Sequence, residues 1–363
     1  MFIYIILNHG IITKKMLTRG KSMRVLSFGE ILLRLAAPGY TRLFQKDSLE
    51  ATFCGGEANV AVSLSILGID SAFLTKVPDT PIGKAAINSL QYFGVDTKNV
   101  IYGDGRLGTY YLEKGASQRP SKIIYDRLYS AISAAKREEF EWNKIFEGVD
   151  WFHWTGITPA LGGDLAQICE DACVNAKSRG IIVSCDLNYR SKLWSSESAK
   201  KIMAPLMKYV DVCICNEEDA EKALGIKAVN TNLELAKIDK LGYVNTAEII
   251  KNTYGCKYIA TTLRKSFSAS HNRWSAMLYD SQKEKSYFSR EYDIQIVDRV
   301  GGGDSFAAGL IYALINKKQC QDAIEFATAA GCLKQTIEGD YNRTSLDEII
   351  SLLNSSGNGR VQR

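Results

Sequence analysis

Residues Val297–Leu310 read "VDRVGGGDSFAAGL", and the fold turns on them. Three glycines are followed at once by an aspartate and then by small, apolar helix formers, so a flexible turn feeds straight into a helix. The N–H groups of a first helical turn have no intrahelical partners, and with no side chains on Gly301, Gly302 and Gly303 an anion can approach them. A phosphate-binding turn alone has no need of a carboxylate. Asp304 beside an anion hole makes sense as a base that takes a proton from an attacking hydroxyl. It reads equally as an N-terminal cap after a glycine turn. Other phosphate loops do not fit. Phe306 stands where GxGxxG needs its third glycine, and Gly83-Lys84 is followed by Ala85 rather than Ser or Thr.

Outward from this turn the chain repeats one phrase, helix then glycine then strand. "EANVAVSLSILG" closes at Gly68 before "SAFLTKV", "DLAQICEDACVNAKSRG" closes at Gly180 before "IIVSCDL", residues 200–209 lead into "DVCICN", and "TAEIIKNTYG" leads into "YIATTL". Glycine is the residue a helix exit prefers, and short β-branched runs after each exit read as strands buried on both faces. The alternation predicts an α/β fold with a parallel sheet covered by helices on both sides. Residues 31–54 and 105–130 break the rhythm with alternation, turns and aromatics. They read as a small separate sheet inserted as a lid, with no linker to make it an independent domain.

The chain has 363 residues, 46% hydrophobic and 23% charged, with a net charge of +5. This is an ordinary globular composition with no basic block that would point to nucleic acid. The nine cysteines are scattered, without paired CxxC spacing, so neither a zinc site nor a disulfide framework is indicated, and reduced thiols in a cytoplasm are expected. The opening apolar run, Phe2–Leu7, is too short to span a bilayer and lacks the charge order of a signal peptide. Residues 1–22 are therefore expected to be a disordered leader, 23–350 the folded domain and 351–363 a polar tail. Of the three histidines, His153 lies in the apolar "WFHWTG" and is expected to pack in the core.

"DRVGGGD" (298–304) resembles the C-terminal signature of the ribokinase/PfkB sugar kinases, usually written DTxGAGD, with Arg299 in place of threonine. "GGEANVAVSLSILG" (55–68) resembles the same family's N-terminal signature, GGxxxNvA. The two stand about 245 residues apart, in the family's order. The likeness runs from about residue 24 to about 350. It implies a ribokinase-like three-layer αβα fold with a mostly parallel central sheet and a small β-sheet lid. "FGEILLRL" (28–35), "DLNYRSKLW" (186–194) and "EGDYN" (338–342) are similar to the branch of the family that acts on 2-keto-3-deoxygluconate.

Carried over residue by residue, the resemblance makes Asp304 the base and Gly301, Gly302 and Gly303 the anion hole. Gly55, Gly56 and Asn59 would hold sugar hydroxyls, Tyr110, Tyr125 and Arg127 would reach in from the lid, and Arg190 and Asp340 would face them from the core. A sugar acid carries a carboxylate, which a planar guanidinium binds bidentately, so Arg127 and Arg190 are the candidates for it. Tyr111 is the alternative to Tyr110, since neighbours on a strand face opposite ways. "TTLRKSF" (261–267) occupies the position of the family's ATP loop. Thr262, Arg264, Lys265 and Ser266 there, with Asn216 and with Thr328 near the adenine, form the expected nucleotide set. "NEED" (216–219) resembles the family's NxxE element, so Asn216 and Asp219 are the expected Mg²⁺ residues, acting largely through water.

The activity implied is ATP-dependent phosphorylation of the C6 hydroxyl of 2-keto-3-deoxygluconate. A fructokinase or other sugar kinase of the family is the alternative, and a non-catalytic sugar or nucleotide sensor a more distant one. The expected partners are ATP, Mg²⁺ and a small sugar acid, with a monovalent cation left open. Neither nucleic acid nor membrane is expected. The lid strands leave edges that a second copy could cover, so a homo-oligomer through the lid is expected.

Overall fold

The computed structural model describes residues 23–227 and 240–354; the expected leader, 1–22, lies outside them. In chain order the strands are β1 (Arg24–Phe28), β2 (Leu32–Ala36), β3 (Glu50–Cys54), β4 (Asp70–Leu74), β5 (Lys76–Pro78), β6 (Ile101–Gly103), β7 (Gly108–Glu113), β8 (Lys122–Asp126), β9 (Trp151–Thr155), β10 (Ile182–Asp186), β11 (Val212–Cys215), β12 (Tyr258–Ser268), β13 (His271–Asp280), β14 (Lys285–Phe288) and β15 (Tyr292–Gln295). The large sheet runs β14-β13-β12-β11-β10-β9-β1-β4, with β15 also on β13. It is parallel from β4 to β12 and turns antiparallel at β13. The four expected helix–strand phrases all fall in its parallel part. Gly68, Gly180 and Gly255 exit their helices with φ between 70° and 84°, the left-handed region glycine enters without steric cost.

The two segments that break the rhythm form a second sheet in the order β3-β2-β7-β8. Its β2/β7 pair is parallel and the other two pairs are antiparallel. Leu32, Ala36, Tyr110 and Leu112 alternate onto its inner face and make a small apolar cluster with Cys54.

One face of the large sheet is covered by the helices Gly56–Ile66, Gly302–Ile315 and Cys320–Lys334, the other by Leu165–Ser178, Ser196–Leu206 and Lys240–Tyr254. The small residues of "DSFAAGL" and "FATAAG" have a packing reason. A Cβ on Gly309 would lie 3.0 Å from the Ala327 backbone, and one on Gly331 would lie 3.0 Å from the Gly302 carbonyl. The helix that follows the glycine turn is thus clamped against its neighbour. Phe306, fully buried in the seam, contributes about 2–3 kcal/mol of burial.

The tail begins later than expected. Residues 351–354 complete the helix Leu346–Asn354, because Leu346, Leu352 and Leu353 pack on the core. All nine cysteines are free and buried. His153 is buried with Nδ1 2.9 Å from the Ser184 hydroxyl, as expected of a core residue. Among the described residues no helix is long and apolar enough to cross a membrane.

Candidate active site

Two helices begin at the same point. Gly301, at φ 83°, opens the helix Gly302–Ile315; a Cβ there would lie 2.1 Å from the Asp340 carbonyl, so only glycine fits. Gly55 opens the helix Gly56–Ile66 and is excluded from change in the same way, by the Glu30 carbonyl 2.0 Å from its would-be Cβ. Gly303 has nothing within 4 Å of its would-be Cβ, so that side of the first turn is open, although the Gly302 N–H already donates to the Arg299 carbonyl at 3.4 Å.

Asp304 and Asn59 meet where the helices converge. Asn59 Nδ2 donates to Asp304 Oδ2 at 2.6 Å, and Asn59 Oδ1 accepts from the Gly55 N–H at 3.3 Å. The second bond fixes which end of the amide faces the carboxylate. Burial pushes the Asp304 carboxyl up to about 7, with Asp340 and Glu57 adding to the effect, while Asn59 and Arg190 oppose it. A carboxylate that titrates near neutrality is suited to accept a proton from a hydroxyl. Asp304 is not the capping residue: Gly301 holds that place and Asp304 stands in the first turn of the helix.

Asp304 stands between two cavities. The smaller, about 70 Å³, is bounded by Gly55, Gly56, Asn59, Tyr110, Tyr125, Arg127, Arg190, Asp304 and Asp340, with Glu30 and Asn188 completing its polar wall. The larger, about 850 Å³, holds Asn216, Asp219, Thr262, Arg264, Ser266 and the glycine turn. Tyr125, Arg127, Asn188, Arg190 and Asp304 face both. Most of the expected site residues are therefore brought together.

Several arrive in a different condition from the one expected. Arg127 is not a free guanidinium: its Nε and Nη2 both engage Glu30 Oε2, Nε at 2.8 Å, and both residues are buried. The other Glu30 oxygen, Oε1, has no partner. Asp340 does not present an idle carboxylate either. The Tyr110 hydroxyl lies 2.8 Å from each of its oxygens, and Arg34 Nη1 pairs with Oδ1. Tyr110 rather than Tyr111 faces inward, as strand alternation requires. Arg190 sits in the cleft with Nη1 on the Tyr189 carbonyl at 2.9 Å, and it draws down the carboxyls of Asp186, Asp219 and Asp304 alike.

Two expected nucleotide residues do not line the cleft. Lys265 lies on the opposite face of β12 from Arg264 and Ser266, its ammonium 5.3 Å from the Phe267 ring centroid. Thr328 is wholly buried in the middle of its helix and donates to the Ile324 carbonyl at 2.7 Å. Arg299, the residue that replaces the family's threonine, lines the cleft as well. Its Nη2 donates to the Ala269 carbonyl at 2.9 Å, and burial and the nearby Arg264 lower its pKa.

Asn216 and Asp219 form a capping box: Asp219 N–H donates to Asn216 Oδ1 at 2.8 Å and Asn216 N–H to Asp219 Oδ2 at 3.3 Å. Asp219 also accepts from Tyr189 N–H at 2.8 Å. Their first task is local, against the expectation of a metal pair alone. Asp186, which the sequence reading passed over, joins them. Burial, then Asp219 and Asp304, push its carboxyl well up, and Asp219 is pushed up to about 6, chiefly by burial. Such a concentration of poorly neutralised carboxylates suits a hard divalent cation. Among the described residues no three His, Cys, Asp or Glu side chains are grouped to ligate a metal directly; Asp186, Asp219 and Asn216 are the oxygens that could meet Mg²⁺.

A buried ion-pair network underlies the site. Arg34, on β2, pairs through Nη2 with Asp298 at 2.5 Å and through Nη1 with Asp340. The sequence offered a signal for it: Arg34 alternates with Leu32 and Ala36 onto an apolar face, where a cation needs partners.

A buried carboxyl between a small polar pocket and a large cleft lined by arginines and carboxylates is an arrangement suited to a phosphotransferase. The sequence matches the pfkB family carbohydrate kinases over residues 22–252 and 270–346, and the chain belongs to that family. The 2-dehydro-3-deoxygluconokinase of Thermotoga maritima superposes with a TM-score of 0.88 at 50% identity, covering 92% of this chain and 100% of that one. A 2-dehydro-3-deoxygalactonokinase of Haloferax volcanii is 30% identical over 92% of this chain and 98% of its own length. The 2-dehydro-3-deoxygluconokinase of Bacillus subtilis is 24% identical over 87% and 91%. The three-layer kinase fold implied by the two glycine motifs is borne out.

Proposed function

We propose that this kinase transfers the γ-phosphoryl group of ATP to the C6 hydroxyl of 2-keto-3-deoxygluconate, giving the 6-phosphate. The observation that carries the reading is the placement of Asp304: a carboxyl titrating near 7, between the small pocket and the large cleft, at the open start of a helix. The sugar occupies the small pocket, bounded by Gly55, Gly56, Asn59 and Tyr110, with its terminal hydroxyl toward Asp304. Arg190, and the edge of Arg127 not taken by Glu30, read the acid group. Asp340 supports Tyr110 and Arg34 rather than meeting the sugar by itself.

ATP lies in the large cleft with its phosphates toward Arg264, Arg299, Ser266 and Gly301–Gly303. Mg²⁺, held through water by Asp186, Asp219 and Asn216, would neutralise charge on those phosphates. Asp304 takes the hydroxyl proton, the glycine turn stabilises the transferred group, and the small sheet excludes water. The relatives that act on 2-dehydro-3-deoxy sugar acids support the substrate class. A second copy of the chain is expected over the outer face of the small sheet, where Leu35, Tyr111 and Ile124 stand in register.

The test is ADP release by the purified protein with 2-keto-3-deoxygluconate, its galacto epimer, fructose and ribose. The highest kcat/KM is expected for 2-keto-3-deoxygluconate, with phosphate on C6 by NMR of the product. A preference for fructose would put the fructokinase reading first.

A further inference from the structure

The buried group that the mechanism leaves unused is Lys334. Its side chain is wholly excluded from solvent at the end of the helix Cys320–Lys334. The ammonium donates to two backbone carbonyls, Asp298 O and Ile337 O, each at 3.2 Å. A lysine in the last turn of a helix commonly answers nearby carbonyls, and Ile337 fits that bland role. Asp298 does not, because it lies 36 residues away and begins the turn Asp298–Gly303 that shapes the anion hole. Lys334 Cε is also 3.2 Å from the position a Cβ on Gly301 would take.

Buried charges surround it: Asp298 and Asp340 stand against Arg34 and Lys334, Asp304 acts on it as a third carboxyl, and Arg34 already spans Asp298 and Asp340. Removing the ammonium would leave a net negative charge directly beneath a loop whose task is to receive phosphate. A cation held by backbone carbonyls and close to carboxylates is what a bound monovalent ion also provides.

We propose that Lys334 is a tethered monovalent cation: it holds the Asp298–Gly303 turn in its anion-receiving shape, so that phosphoryl transfer needs no added potassium-like ion. It is a positioning residue, acting through the glycine turn. The inference rests on the kinase reading above, and the first arm of the test separates the two. Wild-type enzyme is assayed with ATP and 2-keto-3-deoxygluconate in sodium, potassium and tetramethylammonium buffers of equal ionic strength. No turnover in any of the three would sink the proposed function itself; equal rates in all three are expected, and dependence on potassium would overturn the role of Lys334.

Lys334→Ala is then expected to lower kcat by roughly 10- to 100-fold, a range bounded by the loss of one oxyanion-hole donor, with little change in sugar KM. Ammonium, methylammonium or potassium should restore part of the rate, and tetramethylammonium should not. A loss in a folded variant that no small cation restores would make Lys334 a packing residue and refute the proposal, as would no loss. If Lys334→Ala does not fold, Lys334→Gln keeps two N–H donors without the charge. It should show the same kcat defect, and a wild-type kcat for it would refute the proposal equally.

Discussion

Replacing Asp304 with Asn is expected to cost activity and add stability in the same molecule. A carboxyl moved from an ordinary 3.8 to about 7 carries, at ~1.4 kcal/mol per tenfold, a penalty of about 4 kcal/mol when ionised in the folded state. Asp304 is only half-buried, its outer edge open to the cleft, and solvent screening reduces this to about 1–2 kcal/mol. The sign follows from proton uptake. Between the unfolded value and about 7 the native state holds a proton that the unfolded chain has released. Wild-type stability from this group is therefore full at low pH and is lost as the pH rises to 7. The amide has no proton to lose, so Asp304→Asn should gain nothing near pH 4, gain progressively above it, and level off above pH 7. Melting at pH 8 should rise by roughly 2–4 °C, with the difference shrinking toward pH 5. Turnover at pH 8 should fall by roughly 10²–10⁴-fold. In wild type, kcat/KM should climb about tenfold per pH unit below 7 and level off above it. A variant that melts no higher at pH 8 and keeps near wild-type turnover would refute the placement of the base.

Arg190→Ala should lower kcat/KM for 2-keto-3-deoxygluconate by at least about tenfold, or ~1.4 kcal/mol, and change turnover of a neutral sugar much less; equal effects on both would deny it a role in reading the acid. Arg127→Ala is the poorer probe, because it strands Glu30 as a buried charge. Arg34→Met should destabilise by about 3–5 kcal/mol in denaturant melts, since it leaves Asp298 and Asp340 buried with one cation fewer; a loss under 1 kcal/mol would mean that water reaches the pair. Sugar binding should slow amide exchange across 31–54 and 105–130 as the small sheet closes, and unchanged exchange there would refute closure.

The parallel core was legible because three of the four helices ended on a glycine and the strands that follow are short, largely apolar runs, both local signals. The glycine turn and Asp304 were legible from spacing and from the second glycine pair at 55–56. What was missed is non-local. Nothing near Arg127 in the chain announces Glu30, 97 residues away, so a paired guanidinium looked like a free one. Lys265 was read with Arg264 and Ser266 as one loop, whereas β12 continues through it and alternation turns it away. Thr328 followed a family position, yet here a helix interior surrounds it. Asp186 was overlooked because its role depends on Asp219 and Asp304, which only the sheet brings near.

The Arg34 pairings reach 264 and 306 residues along the chain, and that distance is also a delay. On a ribosome adding about 5–20 residues per second, roughly 15–60 s pass between the making of Arg34 and of Asp340. During that interval β2 carries a guanidinium whose two carboxylates do not yet exist, so its inner face cannot be sealed. The small sheet is encoded early and finished late, and a message cut short before codon 340 would yield a chain with a strand that has no stable place to dock.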